Sequence, residues 1–147
     1  MKKYIFLSLT IGSALNIAAC KNNANQHVAL QEEVIAVHDS IMPKMGTFVR
    51  DNLKVGILLT KMDSLKQADP SLDTAQEKEH LTKLKSKLSE VNEEMTDWMH
   101  NFEPAQEDKK LEEVEAYFKN ELVKIKALKD KFKEAENESQ RVLSKYK

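Results

Sequence analysis

Helix breakers are scarce in this chain: its 147 residues include three glycines and three prolines, and aromatics make up only 6%. Much of the remainder is Ala, Glu, Lys and Leu, a balance that favours helix and argues against a sheet. Charge of one sign is not in excess. Lys and Arg total 23 against 24 Asp and Glu, a net charge of -1, so nothing points to a nucleic-acid groove or a polybasic membrane face. The two signs are interleaved, which reads as a solvated helical surface. A single cysteine, Cys20, rules out an internal disulfide and a zinc pair of cysteines. A glycine-rich phosphate loop and a Ser–His elbow are missing as well. Glu77 and His80 have Glu-x-x-His spacing, but no second copy exists to complete a di-iron site. Adjacent acids such as Glu32 with Glu33 and Glu93 with Glu94 diverge by about 100 degrees on a helix, so neither pair suits shared acid and base work. No catalytic residue, enzyme activity, metal or cofactor is expected.

Only one long hydrophobic run occurs. Tyr4 to Leu15 follows Lys2 and Lys3 and precedes the small residues Ala18 and Ala19, the order of an export signal. The run is too short for a permanent span, which needs about 20 apolar residues. Ile17-Ala18-Ala19-Cys20 resembles the bacterial lipobox. The resemblance implies a signal cut before Cys20, a diacylated Cys20 sulfur and usually a third acyl chain on the new amino terminus. Several chains are needed because one anchors only marginally, each buried methylene adding about 0.8 kcal/mol. The expected organisation is a signal peptide at 1–19, a lipidated Cys20 with a short flexible tether through 26, and a helical domain at 27–147. Lys21 stands where an aspartate often marks inner-membrane retention in enteric-type bacteria, which favours the outer membrane with the domain facing the periplasm.

The domain is organised around Leu81 to Phe102. Leu81, Leu84, Leu88, Val91, Met95, Trp98 and Phe102 recur at spacings of three and four, with Lys and Glu between them, so one stripe is dry and must be buried against partner helices. This middle helix is expected from Thr74 to Asn101, with Asp73 or Thr74 as N-cap and Thr74 with Glu77 in the form of a capping box. A first helix is expected from His27 to Lys66, carrying Val34, His38, Ile41 with Met42, Met45, Phe48 with Val49, Leu53, Leu59, Met62 and Leu65. Because the apolar phase holds across Pro43, one kinked helix is favoured over a break capped by Ser40. Asp69-Pro70 ends it. A third helix is expected from Ala105 to Lys145, with Pro104 near its first position and Leu111, Val114, Phe118, Leu122, Ile125, Leu128, Phe132, Ala135 and Val142 or Leu143 inward. Short turns make consecutive helices antiparallel, so the fold expected is all-α: an up-down-up three-helix bundle with coiled-coil-like packing.

Folding the middle helix back about Pro70 gathers Met42, Met45, Met95, Met99, Trp98 and Phe102 at one end, with His38 and His100 nearby. Thioether and imidazole ligands suit Cu(I), or haem; the same methionines at helical spacing also serve as ordinary core filling. The block from His38 to Met45, taken with Met95 to Phe102, resembles a group of small uncharacterised bacterial lipoproteins, some labelled "viral A-type inclusion protein". That resemblance implies an anchored helical architecture and no defined activity. The reading that results is a lipid-anchored envelope protein whose bundle acts by contact with a protein partner, with copper or haem binding at Met42, Met45, Met99 and His38 as the alternative. Oligomeric state stays open.

Overall fold

A computed structural model describes residues 18–146, and the side chains of 26–146. Within these limits the protein is all-α: α1 (Ala18–Thr60), α2 (Met62–Ala68), α3 (Thr74–Asn101) and α4 (Leu111–Leu143) pack against one another, and a 3-10 turn (Ser144–Tyr146) closes the chain. The signal expected at 1–19 falls almost wholly outside the described residues. Residues 20–26, expected as a tether, are continuous with α1.

Each long helix buries a stripe repeating every three and four residues. In α3 the buried residues include Leu81, Leu84, Leu88, Val91, Met95 and Trp98. In α4 they include Val114, Phe118, Ile125, Leu128, Phe132, Ala135 and Val142. The seam along α1 and into the start of α2 is stricter: Val34, Ile41, Phe48, Val55 and Met62, each seven residues from the next, are 0–1% exposed. A seven-residue repeat returns to nearly the same side of a helix every two turns, so these residues form one narrow stripe. Phe48 and Phe132 stack at its centre, with centroids 5.2 Å apart.

Polar contacts set the register. Asn52 donates to the Lys85 carbonyl and to Ser89 Oγ (3.2 and 2.8 Å), and Asn92 donates to the Met45 carbonyl, so α1 and α3 run antiparallel. Lys131 to Glu94 and Trp98 to Glu121 pair α3 with α4 in the same sense. Lys126 with Glu33, Lys44 with Glu136 and Ser139 with Asp51 run α4 alongside α1 in parallel.

The ends follow local chemistry. Asp73 is the N-cap of α3, its carboxylate accepting from the Ala75 and Gln76 amides at 3.1 Å each; Glu77 makes no capping box. Lys66 Nζ donates to the Pro70 and Leu72 carbonyls across the turn between α2 and α3. Helix α1 passes through Pro43 unbroken, with Ser40 donating back to the Val37 carbonyl and capping nothing. A separate interruption comes at Lys61, whose amide is shared between the Ile57 and Leu58 carbonyls. Helix α4 starts at Leu111, six residues later than expected. Ala105 to Lys110 offer no large apolar side chain to bury, and a helical turn without tertiary contact is marginal; Glu113 caps the helix by accepting from the Lys110 amide.

One part of the inward face differs from expectation. Met42, Val49 and Leu53, placed on the α1 stripe with Ile41 and Phe48, are exposed, while Val55 is buried. Two apolar rows lie one residue apart on α1, and the other helices cover only one. Phe48→Ala should lower the unfolding free energy by about 3–5 kcal/mol, whereas Val123→Ala, on the outer face of α4 and 69% exposed, should change it by less than about 0.5 kcal/mol; urea titration of both variants checks this.

Candidate functional site

At the end of the molecule where α3 turns toward α4, an apolar groove of about 370 Å³ is lined by Ile35, His38, Asp39, Trp98, Met99, Phe102 and Pro104. Its floor is aromatic. The His38 ring lies 5.6 Å from Trp98, Trp98 stacks on Phe102 at 4.8 Å, and Phe102 continues to Tyr117 and Phe118. Sequence placed Trp98 on the α3 stripe, and burial left its indole N–H in need of an acceptor. Glu121 supplies it at 2.8 Å, with Lys124 on the other carboxylate oxygen at 2.7 Å. Tyr117 accepts from the Glu103 amide at 2.7 Å and so ties the connecting segment to the same cluster; burial is the main force pushing its hydroxyl pKa up.

His38 is held on one side only. Its Nδ1 lies 2.9 Å from an Asp39 carboxylate oxygen, and its buried Nε2 has no hydrogen-bond partner. A carboxylate on one imidazole nitrogen with the other left open is how metal-binding histidines are oriented. Of the expected Met and His cluster, the structure brings His38, Trp98, Met99 and Phe102 together. Met42 is exposed, Met95 is wholly buried in the core, His100 is exposed, and Met45 is partly buried outside the groove lining. The difference is one of register: the Asn92 bond to Met45 sets Trp98 level with His38 and not with Met45. Among the described residues, no three His, Cys, Asp or Glu side chains converge as a metal cage. The side chain of Cys20, the expected lipid site, lies outside the described residues.

Two buried carboxylates escaped the sequence reading, which placed the acids on outward faces. Besides Glu121, Glu77 is 5% exposed and is clasped by Tyr146 Oη at 2.6 Å and Lys145 Nζ at 3.1 Å. Glu77 precedes the seam residue Leu81 by four and so shares its face. This spacing was the available signal.

No protein family, curated protein or solved structure matches the chain.

Burial pushes the Glu77 carboxyl up, but the Tyr146 and Lys145 hydrogen bonds outweigh it and hold the group below its ordinary value of 4.5. The clasp therefore adds stability that is fully present above that value and is lost as pH falls through the lower folded value. Glu77→Gln should cost about 1.5–3 kcal/mol at neutral pH. Its urea midpoint should converge on that of the parent as the pH is taken from 6 toward about 3.

Proposed function

We propose that this chain is a lipid-anchored bacterial envelope protein whose helical domain acts by contact with another protein. The anchor reading rests on the Ile17-Ala18-Ala19-Cys20 lipobox resemblance and the charged and apolar order ahead of it. Cys20 is the attachment site. The domain at 27–147 is read as an up-down-up three-helix bundle in which α2 is the far end of the first arm, offset by the single irregular residue Lys61. No described helix is long and apolar enough to cross a membrane. The outer membrane, with the domain on its periplasmic side, is the location this reading favours.

One observation carries the contact reading. Among the described residues, seven large apolar side chains stand exposed, and six of them lie on α1: Val28, Ile35, Met42, Val49, Leu53 and Ile57. Scattered exposed hydrophobics are ordinary, but a continuous row on one helix face marks an interaction surface. The anchor is tested by membrane fractionation and intact mass of the wild type beside Cys20→Ser. The wild type should be membrane-bound and heavier by its acyl groups, and the variant should lose both properties; a soluble, unacylated wild type overturns the anchor.

The half-held imidazole of His38 beside Met99 favours a second reading, Cu(I) binding in the groove. Two donors are a weak set for a thioether and imidazole site, and exposed Met42 is the next candidate along α1. Cu(I) titrated into the purified protein should quench the single tryptophan, Trp98, in proportion to occupancy, and His38→Ala should abolish the change. Parent fluorescence that is indifferent to copper removes this reading.

A further inference from the structure

The exposed row on α1 has an internal symmetry. Val28, Ile35, Met42 and Val49 are spaced by seven, as strictly as the buried seam beside them, and Leu53 and Ile57 extend the row by single turns. Position 56, next in the series of seven, is glycine. A seven-residue apolar row on an outer face is the form of a coiled-coil seam that lacks its partner helix.

The charges beside the row state which partner fits. Four exposed residues share one flank of it: Glu32 and Asp39 toward the amino-terminal end, Arg50 and Lys61 toward the other. Glu32, Arg50 and Lys61 form no ion pair among the described residues, and Asp39 meets only its neighbour His38. Helices that pair antiparallel bring the same flank of each together, whereas parallel pairing brings opposite flanks together. A second copy of α1 laid antiparallel sets Asp39 against Arg50 and Glu32 against Lys61, each pair occurring twice. In that register the apolar row meets itself at Met42 and Val49, the centre of the crossing, while Ile35 falls level with Gly56. All four pairings have midpoints within about one residue of the junction of Met45 and Gly46. Turned parallel, that flank faces the opposite one, where His27, His38 and Asp63 are the titratable residues and no Lys or Arg answers Glu32 or Asp39.

Gly46 sits at that midpoint. A Cβ there would meet only Arg50 Nη1, at 3.8 Å, and one at Gly56 would meet nothing within 4 Å. No packing inside the chain requires either glycine, and helix interiors disfavour both. A bare backbone at the crossing lets a second helix approach closely.

We infer that the exposed apolar row of α1 is a self-association seam, occupied by α1 of a second copy running antiparallel about an axis at Met45–Gly46. This inference rests on the contact reading above and names the partner. In the full-length chain, Gly46→Cys should form a disulfide-linked homodimer in expressing cells, and Val28→Cys, far from the axis, should not. Arg50→Glu with Lys61→Glu should cut Gly46→Cys crosslinking at least tenfold, and adding Glu32→Lys with Asp39→Lys should restore it. Sedimentation of the purified protein lacking the engineered cysteine should show a dimer that Leu53→Glu converts to monomer. Homodimers from Val28→Cys, or no rescue by the double charge reversal, overturn the antiparallel register. A benzophenone probe on Gly46→Cys that captures only other proteins overturns the second copy as occupant and leaves protein contact standing. If the probe captures no protein, both fail. A monomer that floats with phosphatidylethanolamine and phosphatidylglycerol vesicles, and stops doing so in Leu53→Glu, also overturns the inference in favour of a membrane surface.

Discussion

A helix packed against two neighbours can bury only part of its circumference, and α1 is apolar over more than that part. The seam from Val34 to Met62 occupies the space between α3 and α4, where Phe48 stacks on Phe132. Once that seam is inside, the row one residue ahead of it must lie outside. The polar bonds hold the choice. Asp51 receives Ser139 on one side of the seam and Asn52 reaches Lys85 and Ser89 on the other. Rotating α1 to bury Met42 and Val49 would break both pairings and leave Ser139, 3% exposed, without its acceptor.

The legibility of each helix followed how much of its surface could be mistaken for core. Thr74–Asn101 matched the expected limits because the positions off the stripe are filled largely by Lys, Glu and other polar residues, leaving one possible inward face. The thin end of α4 was equally readable: Ala135, Ser139 and Val142 are all buried as the three-four spacing required. Helix α1 was misphased at Met42, Val49 and Leu53 because adjacent apolar pairs, Ile41-Met42 and Phe48-Val49, fit either face. Both rows recur every seven residues, and only their continuation separates them: the buried one runs on through Val55 and Met62, where the outer one meets Gly56 and Asp63. The late start of α4 was hidden for a different reason. Pro104, Glu107 and Asp108 are good first-turn residues, but helix-start chemistry without a side chain to bury does not hold a turn.

At the candidate groove, the residue types were legible and their neighbours were not. A shift of about two turns in the α1–α3 register moves Trp98 from Met45 to His38, and no side chain in either stripe fixes that shift as firmly as Asn52 and Asn92 do. The buried acids were missed because a carboxylate on a helix reads as surface until its partner is known. Glu121 needed the Trp98 indole and Glu77 needed Tyr146, both distant in sequence and near only in the folded chain.

As proposed, anchoring at Cys20 and antiparallel pairing would constrain each other. At 1.5 Å per residue, the distance along α1 from Cys20 to an axis at Gly46 puts the anchors of two paired copies roughly 75 Å apart. Two anchors so far apart cannot both enter one bilayer if the helices stand upright. Either both copies lie along a single membrane with the axis normal to it, or each anchor enters a different membrane. The first arrangement would turn one side of the long, charge-interleaved domain toward the headgroups; without Lys2 and Lys3 the chain from Cys20 on carries 21 Lys and Arg against 24 Asp and Glu, so anionic headgroups would oppose it weakly. A pair lying flat would also keep both proposed acyl anchors engaged at once, so each would raise the effective concentration of the other and lower the affinity that the seam on α1 must supply.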